Sequence, residues 1–166
     1  MKSKTTPLVA VLLSTVLLFL SGCGGIYRYA KSGEVGWALK KELRDKHSKE
    51  VDMTKLVKFQ WDEFFVFNPY TSSADICKRL ALSLDQCQKQ IKSESTDDGE
   101  TLLIFLKDRK IAHSEMHFRW HGDFTPARDE PFTSATAVFT VLVKDQGSMF
   151  EDWLSLRPKS ATPLSN

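Results

Sequence analysis

Hydrophobic and polar positions change period several times along the chain, and each change marks an element. Residues 34–49 place Val35, Ala38, Leu39 and Leu43 on one narrow stripe among charges, the period of an amphipathic helix. Gly36 weakens the first turn, and Trp37 lies off the stripe, where partial core packing is the commoner fate and a domain edge or a partner contact the alternatives. Residues 57–67, VKFQWDEFFVF, alternate instead. Val57, Phe59, Trp61, Phe65 and Phe67 point one way, and Lys58, Gln60 and Asp62 the other. Phe64 and Val66 make the distal half apolar on both faces, which predicts a strand covered on both sides. Asn68-Pro69 ends it, because proline has no N–H to donate to a ladder.

Helical spacing returns after Ser72-Ser73-Ala74-Asp75, a capping-box-like start that puts Ile76, Cys77, Leu80 and Leu84 near one face. Ser83-Leu84-Asp85-Gln86 repeats the signal, with Leu84, Cys87 and Ile91 following. Residues 93–99 are polar and read as a loop. TLLIFLK (residues 101–107) predicts a buried strand, Asp108-Arg109 a short turn, and residues 111–121 the return strand. On that strand Ala112, Ser114, Met116, Phe118 and Trp120 share one face, and His113, Glu115, His117, Arg119 and His121 the other. A loop with two prolines precedes the strand ATAVFTVLV (residues 135–143). Ser148-Met149-Phe150-Glu151 offers a further capping box, with Met149, Phe150, Trp153 and Leu154 on a terminal helical turn. The order predicts an α+β fold: a single domain with an antiparallel sheet of about four strands and helices mainly on one face.

The beginning of the chain follows none of these periods. A basic start (Lys2, Lys4) precedes the uncharged run PLVAVLLSTVLLFL, residues 7–20. That run is short for a membrane span, which needs about 20 apolar residues. It has the layout of a secretory signal peptide. Leu20-Ser21-Gly22-Cys23 resembles the lipobox of bacterial lipoproteins: a branched apolar residue, two small residues and a cysteine. The resemblance implies a diacylglycerol on the Cys23 sulfur, cleavage before Cys23 and acylation of the new amino terminus. Gly24 stands where an aspartate commonly retains such proteins at the inner membrane of Gram-negative cells. The resemblance therefore implies the inner leaflet of the outer membrane, facing the periplasm. The organisation expected is a signal peptide (1–22), a lipidated N-terminus and tether (23–33), the α+β domain (34–156) and a disordered tail (157–166). The segment WDEFFVFNPYT also resembles a W-D-x-x-x-x-F-x-P-Y pattern of small bacterial envelope lipoproteins, and it implies no activity.

Charge narrows the partners. Lys2 and Lys4 account for the net charge of +2, so the chain from Cys23 onward is neutral. Neutrality gives no footprint for nucleic acid and no polybasic membrane patch. Beyond Cys23 only Cys77 and Cys87 remain. In an oxidising compartment they are expected to pair, closing a loop worth about 2–3 kcal/mol by chain entropy. A metal pair is the competing reading, though the spacing is not C-x-x-C and no histidine is near in sequence.

Candidate chemistry is sparse. On a strand, neighbours among His113, His117 and His121 stand about 13 Å apart, too far to share one metal. His113–Glu115 or Glu115–His117 would fit a metal only with a third ligand from elsewhere. Otherwise the row is a polar sheet face. Asp62 and Glu63 are adjacent on a predicted strand and diverge, so structural roles suit them better than acid–base catalysis. No nucleophile elbow, zinc-protease helix or phosphate loop is present. No cofactor, metal or catalytic residue is assigned. The expected role is noncovalent recognition of an envelope or incoming protein, as immunity against a toxin or support of an envelope complex. The alternative is a lipid-anchored hydrolase or metal-dependent enzyme. Partner contacts are assigned to Tyr70, in the loop after the aromatic strand, and to Phe124, Arg128 and Phe132 in the loop of residues 123–132.

Overall fold

The computed structural model describes residues 32–91, 94–144 and 152–159. The expected signal peptide, Cys23, all but the last two residues of the expected tether, the segment Ser148-Met149-Phe150-Glu151 and residues 160–166 of the expected tail lie outside them.

Helix α1 (Glu34–Lys40) forms on the predicted stripe and buries Val35 and Leu39. It continues into one π-helical turn (Lys41–Asp45), closed by Lys46 N–H donating to the Lys41 carbonyl, which buries Leu43. The helix ends before Lys49 because His47 takes a positive φ of 55°. Strand β1 (Glu50–Asp52) follows, then a helical turn α2 (Met53–Leu56) whose N-cap Asp52 accepts from the Thr54 N–H.

The aromatic strand is half its expected length. Only Glu63–Phe67 (β2) is in the sheet. Phe59 and Trp61 pack into a different core from Phe65 and Phe67, so the single face expected of residues 57–67 is split. Asp62 supplies the reason. Its carboxylate accepts from Lys107 Nζ (2.7 Å) and from the Asp108 N–H (2.8 Å), turning the chain and bracing the neighbouring hairpin.

Helices α3 (Ser73–Arg79) and α4 (Leu84–Gln90) start at the two predicted caps. Ser72 Oγ accepts from the Asp75 N–H and Ser83 Oγ from the Gln86 N–H. Cys77 and Cys87 are joined in a buried disulfide, with Cα atoms 5.6 Å apart. Strands β3 (Glu100–Lys107) and β4 (Lys110–Phe118) form the expected hairpin. Its turn residues Asp108 and Arg109 both have positive φ, the geometry that matches strand twist in a two-residue loop. A 3-10 turn (Arg119–His121) ends β4. Then come β5 (Phe132–Thr133), β6 (Val138–Lys144) and β7 (Trp153–Pro158).

The fold is α+β, with two antiparallel sheets of order β4-β3-β2-β5 and β1-β6-β7. The predicted strand near the C-terminal end therefore belongs to a second sheet. One face of the larger sheet (Phe65, Phe67, Leu102, Ile104, Leu106) packs on the disulfide-linked helices. Its other face (Phe64, Val66, Leu103, Phe105) packs on α1 and the smaller sheet through Phe139, Leu154 and Leu156. Phe64 centres this core, stacked 4.9 Å from both Phe105 and Phe132, with the edge of Phe124 at 5.8 Å.

Trp153 and Leu154 lie on a strand and not on a helical turn. Residues 153–157, WLSLR, alternate, with Leu154 and Leu156 facing the core. The strand carries Arg157 and Pro158 into the sheet, and Lys159 N–H donates to the Val138 carbonyl. The ordered domain thus runs past the expected boundary at residue 156. It also begins earlier, at Ser32, which is buried and shares a hydrogen bond with His121 Nδ1 (3.2 Å).

Candidate functional site

Asn68, Pro69, Tyr70 and Thr71 connect β2 to α3. Thr71 closes the turn, its N–H and hydroxyl both donating to the Asn68 carbonyl. Tyr70 N–H donates to the Ser95 carbonyl at 2.7 Å. This grip holds Tyr70 at φ 64°, a left-handed conformation that is uncommon for a bulky side chain. The ring is 62% exposed. Partial desolvation first, then the charges of Asp98 and Asp97, raise the phenol above its ordinary pKa. Tyr70 stands between two depressions. One is lined by Asp98, Arg119, Asp123, Thr125, Lys144, Trp153 and Arg157 among others. The other is lined by Thr71, Asp75, Lys78, Arg79 and Asp129.

The first depression has a rigid wall built around Asp123. The backbone of Asp123 pairs with β7, donating to the Leu154 carbonyl and accepting from the Leu156 N–H. Its buried carboxylate accepts from Arg119 Nε (3.1 Å), Thr125 N–H (2.9 Å), Thr125 Oγ1 (2.7 Å) and Trp153 Nε1 (2.7 Å). Burial alone would raise this carboxyl, but the bonds from Arg119, Thr125 and Trp153 outweigh it and hold the pKa below the usual range. Arg119 also donates to the Asp98 carbonyl and lies over the Trp153 ring. Arg157 donates to the Thr125 carbonyl from the far side. Sequence reading missed this wall because its members come from three separate segments. The only local trace is the four-residue spacing of Arg119 and Asp123.

The other assigned partner contacts fare differently from Tyr70. Phe124 and Phe132 are 5% and 4% exposed and lie in the core around Phe64, so neither is a surface contact. The charged residues beside them marked the loop as a surface, but the two rings point inward. Arg128 stays at the surface, laid over the Phe132 ring (5.0 Å) and 3.5 Å from Glu130. The carbonyls of Arg128 and Asp129 accept from Arg79, which fixes the loop against α3.

The histidines do not form a solvated polar face. The odd-numbered side of β4 points inward, beneath the start of α1. Glu115 is buried there and its oxygens accept from the Val35 N–H (3.0 Å), the Gly36 N–H (2.8 Å) and His113 Nε2 (2.7 Å). A carboxylate against the first free amides of a helix is favourable by charge and by satisfied donors. Gly33 lies so close that a Cβ there would collide with the Glu115 carboxylate. His117 is fully buried and donates from Nε2 to the Gly122 carbonyl (2.7 Å). Desolvation lowers its pKa. His121 lies beyond the strand, on the 3-10 turn, with Trp37 5.1 Å away. Desolvation, then the positive potential of His117, Lys40 and Arg44, lowers its pKa to about 4. Among the described residues no group of three or more His, Cys, Asp or Glu side chains is placed to hold a metal ion.

Compared with known proteins, the chain matches no protein-family model, no curated protein sequence and no solved structure.

Proposed function

We propose that this protein is a lipid-anchored envelope protein that recognises another protein noncovalently. Cys23 carries the acyl anchor at the periplasmic side of the outer membrane, residues 24–31 give reach, and the domain beginning at Ser32 supplies the binding surface. The observation that carries the reading is Tyr70. A large aromatic ring, 62% exposed, is held in an unfavourable backbone conformation between two depressions. Strain of this kind persists where surrounding structure enforces it, and it clusters at functional positions. Tyrosine supplies contact area and a polar end with few torsions to freeze. The buried Cys77–Cys87 disulfide supports an oxidising compartment.

The test places a photo-crosslinking amino acid at position 70 of the full-length protein in living cells. A discrete crosslinked partner is expected, lost when the same amino acid sits at exposed Leu84 instead. The same adduct from both positions, or none from position 70, would refute the reading. Cys23→Ala is expected to move the protein out of the membrane fraction, and membrane retention by that variant would refute the anchor.

A further inference from the structure

We infer that the depression between Tyr70 and β7 takes an extended acidic segment of a protein partner, its two carboxylates engaging Lys144 and Arg157. This rests on the recognition role proposed for Tyr70 and adds the chemistry of what is recognised.

The charges lining the depression are unequally used. Arg119 is neutralised by buried Asp123, and Asp98 lies beside Tyr70. Lys144 and Arg157 have no carboxylate partner among the described residues, and Arg157 donates only to the Thr125 carbonyl. Two cations therefore line a groove whose buried carboxylate, Asp123, is already committed. Counting side chains in the lining, the groove is net positive although the chain from Cys23 onward is neutral.

Register sets the spacing. Lys144 lies opposite Trp153 across the β6–β7 ladder, and Thr140 lies opposite Arg157. Side chains alternate along a strand, so Trp153 and Arg157 share the face that Lys144 shares. Four residues separate Trp153 from Arg157, so the backbone positions that carry the two cations stand about 14 Å apart along the strands. An extended chain with acids four positions apart spans the same distance, whereas a helix would need them about nine apart. Trp153 stands level with Lys144; midway to Arg157 the ladder places exposed Leu142 opposite Ser155, and across the groove lie Pro69, Pro126 and the Tyr70 ring. An apolar residue midway between the two acids meets these surfaces.

The probe is a fluorescent peptide, acetyl-Glu-Gly-Leu-Gly-Glu-amide, titrated into the full chain in neutral detergent micelles and read by anisotropy. Three competitors are used: the same peptide with Gln for both Glu, an isomer with the two Glu adjacent, and inorganic phosphate. Binding is expected for the spaced peptide, weakened about fivefold by Lys144→Gln and again by Arg157→Gln, and reduced by added salt. Lys144→Gln, at an exposed position, keeps the test decisive if Arg157→Gln perturbs the fold. Equal competition by the neutral peptide, by the adjacent-acid isomer or by phosphate would overturn the inference, as would no binding at all. Tyr70→Ala separates the two readings. If it leaves peptide affinity unchanged while Lys144→Gln lowers it, the charge inference stands and the role of Tyr70 falls. If it abolishes binding that the lysine variant leaves intact, the reverse holds.

Discussion

His121 is expected to make the fold acid-labile. The ring is fully buried between Ser32, Trp37 and the end of β4, and its pKa falls from 6.5 to about 4. A histidine held neutral in the fold but free to protonate when unfolded binds fewer protons in the native state. Its contribution is therefore complete above pH 6.5, is lost as pH falls towards 4, and changes no further below that. Between pH 7 and pH 5 the loss works out at about 2 kcal/mol, approaching about 3 kcal/mol at pH 4. That is a large fraction of the stability of an ordinary domain. The downward shift of His117 acts in the same direction. Asp123 is held below its ordinary 3.8, so its contribution is lost only at lower pH. The assay is urea unfolding at pH 7, 6 and 5, followed by tryptophan fluorescence, for the parent and for His121→Gln. Glutamine keeps hydrogen-bonding capacity towards Ser32 but does not titrate. The variant starts less stable, because it loses the ring contact with Trp37, yet its loss between pH 7 and 5 should be smaller than the parent's by about 2 kcal/mol. Parallel pH profiles in parent and variant would refute the assignment.

Three further outcomes follow from the disulfide, packing and backbone. Cys77→Ser with Cys87→Ser should lower unfolding free energy by about 2–3 kcal/mol, read as a lower urea midpoint, and an unchanged midpoint would show that α3 and α4 hold together without the link. Phe124→Ala should cost about 3 kcal/mol or more as a buried ring is removed, whereas Tyr70→Gly should leave the midpoint equal or higher, because glycine adopts φ 64° without strain; a large loss in the tyrosine variant would make Tyr70 structural.

The elements legible in the sequence were those governed by local rules. Ser72 and Ser83 cap helices as their spacing implied, Asp108-Arg109 turns a hairpin, and the stripe Val35, Leu39, Leu43 is buried. What escaped depended on partners far along the chain. Residues 57–61 alternate like a strand, but Asp62 is drawn to the β3–β4 turn and breaks the ladder. The His113, Glu115, His117 row reads as solvent-facing because each residue is polar. Its burial follows from the α1 amides, about eighty residues away, that satisfy Glu115. Trp153 joins Asp123 through one hydrogen bond that no spacing rule anticipates. For the candidate site, Tyr70 was visible as an aromatic after a strand, while Phe124 and Phe132 show that aromatic content in a loop does not distinguish a surface from a plug.

The short stretch from Arg119 to Asp123 serves two ends of the molecule. His121 grips Ser32, where the chain enters the domain, and Asp123, two residues on, sets the floor of the groove beside Tyr70. Gly122 between them sits at φ 144°, with no room for a side chain against Leu43. A displacement of Ser32 and a displacement of the Asp123 wall are therefore both borne by this one five-residue stretch, on the opposite face of the larger sheet from the disulfide-linked helices.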